Sequence, residues 1–100
     1  MNENEYDELR QRLQIETSQK QATQLQQNEL KRTLGEIEKT DSGDLYEMSG
    51  QILIKKEKED LKKELKSKDE ILEYRMKSIN KSIEELTRQV QEFQKQLEKN

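Results

Sequence analysis

Eight apolar residues toward the end of the chain, Leu72, Met76, Ile79, Ile83, Leu86, Val90, Phe93 and Leu97, are separated by 4, 3, 4, 3, 4, 3 and 4 positions. A spacing that averages 3.5 keeps one narrow apolar stripe turned toward a partner helix while the two supercoil. Leu65 extends the stripe backward in the same phase. The spacing predicts a helix over 57–99. Its outer faces carry Glu59/Lys63, Glu64/Lys68, Glu73/Lys77 and Glu84/Arg88 at i,i+4 with the acid first, the favoured order on a helix surface.

A weaker stripe of the same kind occupies the first half. Tyr6, Leu9 and Leu13 share a heptad phase with Leu30, Leu34 and Ile37, but the positions between them are Glu16, Lys20, Thr23 and Gln27. Ile15, Ala22 and Leu25 lie off this phase, so either the stripe shifts locally through a stutter or these residues face another neighbour. A helix over 2–40 follows, with Asn2 and Glu5 as a capping pair, Gly35 softening its last turns, and "TDSGD" from Thr40 to Asp44 ending it. At 1.5 Å per residue the two helices are roughly 55 and 60 Å long, a match that suits an antiparallel pair.

Only 28% of the residues are hydrophobic and 41% are charged, too little apolar surface for an ordinary globular core of 100 residues. The absence of proline and the wealth of Glu, Lys, Gln, Leu and Arg favour long partnered helices over disorder. A net charge of −3, from 22 acids and 19 bases, selects neither nucleic acid nor an anionic membrane. With no Cys and no His, disulfides, thiolate catalysis, the usual zinc sites and imidazole acid/base chemistry are excluded. The acidic start "MNENEYDELRQ" and the lack of any long apolar run predict neither signal peptide nor membrane span, and hence a cytoplasmic chain.

Between the helices, over 44–55, the period changes from heptad to alternation, and "LYEM" and "QILI" flank Ser49-Gly50. A two-residue glycine loop predicts a β-hairpin that pairs Met48 with Gln51, Glu47 with Ile52, Tyr46 with Leu53 and Leu45 with Ile54. One face then carries Tyr46, Met48 and Leu53, the other Leu45, Ile52 and Ile54. A lone two-stranded ladder is marginal, and one with two apolar faces and two open edges requires other strands to complete it. The reading is of one 100-residue domain: helix, hairpin, helix, with strands of neighbouring subunits completing the sheet.

This arrangement resembles a prefoldin subunit of the beta class. The most specific stretch is Tyr46, Met48, Gly50, Ile52, Leu53, Ile54 and Lys55, an aromatic-x-apolar-x-Gly-x-apolar-apolar-apolar-Lys run set between the helices, where Ser49 replaces the family's usual apolar residue. Alpha-class subunits have two hairpins, whereas the space from Thr40 to Lys56 accommodates one. The resemblance implies a hexamer of alpha-class and beta-class subunits whose hairpins form an intersubunit β-barrel and whose coiled coils project from it. It implies ATP-independent capture of unfolded or nascent polypeptide and its transfer to a group II chaperonin, with actin and tubulin as clients in a eukaryote. Leu45, Tyr46, Met48, Gly50, Ile52, Leu53 and Ile54 would hold the assembly, and Tyr6, Leu9, Val90, Phe93 and Leu97 would meet clients at the tips.

Simple packing across the seam is the competing account of those tip residues, and a structural coiled-coil adaptor with a dimerising hairpin is the competing account of the whole chain. The carboxylates lie on helix exteriors with no pocket to perturb them, so no enzyme, cofactor or metal is expected. "KKEKEDLKKELKSK", Lys55 to Lys68, reads as a solvated helical face in preference to a phosphate-binding strip. Ile71 and Tyr74 stand off the seam without an assigned neighbour.

Overall fold

The first helix starts where Asn2 supplies an acceptor: the Glu5 amide donates to Asn2 Oδ1 at 3.0 Å and the Tyr6 amide donates to Asn2 O at 3.1 Å. The cap satisfies one orphan amide of the first turn, that of Glu5, the Tyr6 amide makes the first i→i−4 bond of the helix, and Glu3 and Glu5 add negative charge at the positive end of the helix dipole. A computed structural model describes residues 2–40 and 45–99 as helix α1 (Glu3–Lys39), strands β1 (Leu45–Ser49) and β2 (Ile52–Lys56), and helix α2 (Lys58–Glu98). Most of the helix-ending segment "TDSGD", from Asp41 to Asp44, lies outside the described residues.

Two compact units divide the chain. One combines α1 up to Gln24 with α2 from Tyr74 onward; the other runs from Leu25 to Glu73 and contains the hairpin. In the first unit the beginning of α1 packs on the end of α2 through Tyr6 and Phe93. In the second the end of α1 meets the beginning of α2 through Glu38 and Lys62. The helices are antiparallel in each.

The seam keeps its phase along α1 although its middle is polar. Thr23 and Gln27 are buried to 4% and 7% exposure, while Ile15, Ala22 and Leu25 face outward. There is no stutter: the stripe that holds Leu30, Leu34 and Ile37 continues through Gln27 and Thr23, whose side chains pack where leucines would, while Lys20 on the same stripe is exposed and Glu16 half-buried. On α2, Ile79, Leu86 and Phe93 are buried and Leu72, Met76, Ile83 and Val90 half-buried on the same stripe. Asp69 occupies the seam position between Leu65 and Leu72, and its Oδ1 is buried without a partner among the described residues. Ile71 and Tyr74 are exposed, Tyr74 to 78%.

The hairpin differs from expectation in register. Ser49 pairs with Ile52, Met48 with Leu53, Glu47 with Ile54, Tyr46 with Lys55 and Leu45 with Lys56, so the loop is Gly50-Gln51 and not Ser49-Gly50. A primed turn on Ser49-Gly50 would have demanded a positive φ at Ser49. Placing glycine first confines the positive φ to Gly50, at 61°, as a type II′ turn requires, and no other described residue has one. The pairing moves by two positions along β2, an even number, so the membership of the two faces survives the correction.

Gly35 lies inside α1 with open space where a Cβ would project. Replacing it with alanine removes backbone freedom from the unfolded chain at no steric cost. Gly35→Ala is expected to stabilise the protein by about 1 kcal/mol, read as a higher midpoint in thermal or urea unfolding followed by helical circular dichroism.

Candidate interaction surfaces

Alternation along the strands sorts the hairpin into two faces. Tyr46, Met48, Leu53 and Lys55 share one, and Leu45, Glu47, Ser49, Ile52, Ile54 and Lys56 share the other. Tyr46, Met48, Ile52, Leu53 and Ile54 are all exposed, Met48 to 72%, and Leu45 is half-buried. The sheet has two strands only. Five large apolar side chains are thus left in water on a ten-residue ladder with open edges, a surface that association would remove from solvent.

The root of the hairpin is charged instead. Lys56 Nζ lies 2.7 Å from Glu47 Oε2 on β1 and 2.7 Å from Glu64 Oε2 on α2, joining both strands to the helix. Two residues before Glu64 on α2, Lys62 Nζ meets Glu38 Oε1 at 2.7 Å and Glu59 Oε1 at 3.9 Å. Lys58 Nζ donates to the Thr40 carbonyl at 2.9 Å and the Glu38 carbonyl at 3.4 Å, supplying positive charge at the negative end of α1. Hydrogen bonds from Lys56 and Lys62 hold the Glu47 and Glu38 carboxyls below their ordinary 4.5, and the same bonds raise both lysines above their ordinary 10.5.

Sequence patterning missed this network. Lys56 and Glu64 are eight positions apart across a strand-helix junction, and Glu38 and Lys62 belong to different helices, so no local spacing announces them. Glu64, read from sequence as a partner of Lys68, turns back to Lys56. Three lysines of the Lys55–Lys68 strip are thereby committed to structure. No cluster suited to a metal ion occurs among the described residues.

The remaining candidate residues gather in the other unit. Tyr6 and Phe93 stack with ring centroids 4.7 Å apart and planes 19° from parallel, and Gln94 Nε2 donates to Tyr6 Oη at 3.0 Å. The Arg10 guanidinium carbon lies 5.8 Å from the centroid of the Tyr6 ring. Phe93, at 3% exposure, and Leu9 are buried, Tyr6 and Val90 are half-buried, and Leu97 is 53% exposed. The set therefore divides into a packed cluster and one free leucine. An open groove beside the cluster is lined by Tyr6, Arg10, Leu13, Val90 and Gln94.

A two-helix chain with one apolar hairpin between its helices has clear relatives. The family model described as "Prefoldin subunit" matches residues 1–100. The chain belongs to the prefoldin family. It is 36% identical over 89 residues to the prefoldin subunit beta of Pyrococcus furiosus, covering 88% of this chain and 76% of that protein. It is 34% identical over 93 residues to the prefoldin subunit beta of Pyrococcus horikoshii, covering 92% and 80%. The crystal structure of the prefoldin beta subunit from Thermococcus strain KS-1 superposes with a TM-score of 0.89 at 31% identity, covering 96% of this chain and 85% of that one. These relatives are beta subunits, and the prefoldin family is one of chaperone subunits. No described helix is long and apolar enough to cross a membrane.

Two measurements follow from the site geometry. Because the carboxyls are depressed, their contribution to stability is complete above about 4.5 and is lost as pH falls through the lowered values. Because the lysines are raised, their contribution is complete below about 10.5 and is lost as pH rises through the higher values. Amide chemical shifts of Glu47 and Ile54 should move at both extremes and stay constant between them. Second, Phe93→Ala should cost about 3 kcal/mol in urea unfolding because it empties a packed site, whereas Leu97→Ala should stay within about 0.5 kcal/mol.

Proposed function

We propose that this chain is one subunit of a hetero-hexameric chaperone in the cytoplasm, built with alpha-class and other beta-class prefoldin subunits. In this reading its hairpin joins an intersubunit β-barrel through Leu45, Tyr46, Met48, Ile52, Leu53 and Ile54, with Gly50 shaping the turn. The single observation that carries the reading is the hairpin's exposed apolar surface on both faces. A hairpin serving as a cap on its own helices would bury one face of the ladder, yet Ile52 and Ile54 on one face and Met48 and Leu53 on the other are exposed.

The assembly would hold unfolded or nascent polypeptide without ATP and pass it to a group II chaperonin, with actin and tubulin chains as clients in a eukaryotic cell. Weak apolar contacts from several subunits acting on one chain suffice for such capture, since linked sites multiply their individual affinities. Within the tip set, exposed Leu97 supplies direct contact, and Tyr6, Leu9 and Phe93 maintain the packed end on which it is carried.

Co-expression with alpha-class subunits, followed by mass measurement of the purified assembly and a nucleotide-free aggregation assay, tests the reading. A hexamer that suppresses aggregation is expected; a small self-contained oligomer without suppression would replace the chaperone reading with that of a structural adaptor. Leu53→Asp should abolish the hexamer while leaving helical circular dichroism nearly unchanged. Leu97→Ser should leave the hexamer intact and weaken suppression.

A further inference from the structure

Lys56 is the last residue of β2, and its ammonium is shared equally between a carboxylate on β1 and one on α2, each at 2.7 Å. Glu47 and Glu64 are therefore brought within two hydrogen-bond lengths of each other by the cation between them. The three side chains are about one-third exposed or less on average, at 27%, 32% and 36%, so screening by solvent is incomplete. An ion pair at such a site adds little to global stability. Its sign matters more than its size, because removal of the Lys56 ammonium leaves two carboxylates facing each other across the hairpin-helix joint. Attraction then becomes repulsion.

We infer that Lys56 is a positioning residue that fixes the direction of the hairpin on α2, by holding together two carboxylates that would otherwise drive the elements apart. Lys68 also contributes positive charge near Glu47, but Lys56 makes the direct bonds. The opposite side of the joint is held separately, by Lys58 on the last carbonyls of α1 and by Lys62 on Glu38, so α2 stays attached to α1 when Lys56 is changed. If the hairpin carries assembly, as proposed above, its direction on α2 sets the angle at which the coiled coil leaves the barrel; the role of Lys56 in this sense rests on that reading.

The chain contains no cysteine, so a label pair can be introduced cleanly. Gln51 at the turn and Ser67 on α2 are both exposed and suit Gln51→Cys and Ser67→Cys spin labels on the full-length chain. Lys56→Gln should broaden the distance distribution between them and shift it to longer values, with helical content unchanged. Lys56→Arg should restore the narrow distribution. Adding Glu64→Gln to Lys56→Gln should narrow the distribution again by removing the repulsion, a reversal that simple loss of a stabilising bond would not give. A distribution unmoved by Lys56→Gln, or broadened further by the second substitution, overturns the inference. Failure of the wild-type chain to form a hexamer is a separate result, and it counts against the assembly reading without altering the distances measured in the isolated chain.

Discussion

Scarcity of apolar side chains governs this protein, because a chain with 28% hydrophobic residues can dry only a stripe and not a core. The buried apolar residues, Leu9, Ile37, Leu61, Ile79, Leu86 and Phe93, all lie on or beside the seam between two helices. Thr23 and Gln27 are buried beside them and Leu72, Met76, Ile83 and Val90 are half-buried on the same stripe, while most of the charged residues of the helices face water. Most of the helices' apolar residues are committed to the seam, and the strands stay uncovered: among the described residues the exposed apolar side chains on the helices, Ile15, Leu25, Ile71, Tyr74 and Leu97, are scattered, whereas Tyr46, Met48, Ile52, Leu53 and Ile54 are concentrated on the hairpin. The solvated arms and the sticky hairpin are thus two results of one shortage.

The features that repeat were legible from sequence. Heptad spacing located both seams, the change to alternation located the strands, and the evenness of the register error left the two faces as expected. The register itself was not legible from composition of the turn alone, since both Ser49-Gly50 and Gly50-Gln51 place glycine in a two-residue loop. What separates them is backbone sterics: only the second keeps a residue with a Cβ out of the positive-φ region. Burial of Thr23 and Gln27 was equally hidden, because a polar residue at a seam position announces neither continuation nor interruption. The charged joint around Lys56 could not be found at all by local pattern, as its members become neighbours only when strand, turn and helix are in place.

The uneven seam has a further consequence for where order resides. The stripe on α2 is apolar without a break from Leu72 to Phe93, whereas the stripe on α1 is polar from Glu16 to Gln27 and apolar on either side. Apolar packing from α1 is therefore concentrated near Tyr6, Leu9 and Leu13 and near Leu30, Leu34 and Ile37, and each group has a polar lock of its own, Tyr6 with Gln94 and Glu38 with Lys62. Local opening costs least where apolar contacts are sparse, which places the weakest stretch of α1 in its middle and not at its start.

That distribution changes how the helix ends are understood. Open ends of a coiled coil ordinarily fray, since their terminal amides and carbonyls lack partners, and fraying would expose seam residues to a passing unfolded chain. Here the start of α1 is capped by Asn2, and the stack of Tyr6 on Phe93 closes the seam directly above it. The apolar surface available without breaking the pair is then Leu97, one turn beyond Phe93, together with the groove along Leu13 and Val90. Under the proposed chaperone reading, an unfolded polypeptide at this end would meet the exposed Leu97 beside the packed Tyr6–Phe93 stack, a weak contact that several subunits would repeat, and capture of that kind would not need the seam to open.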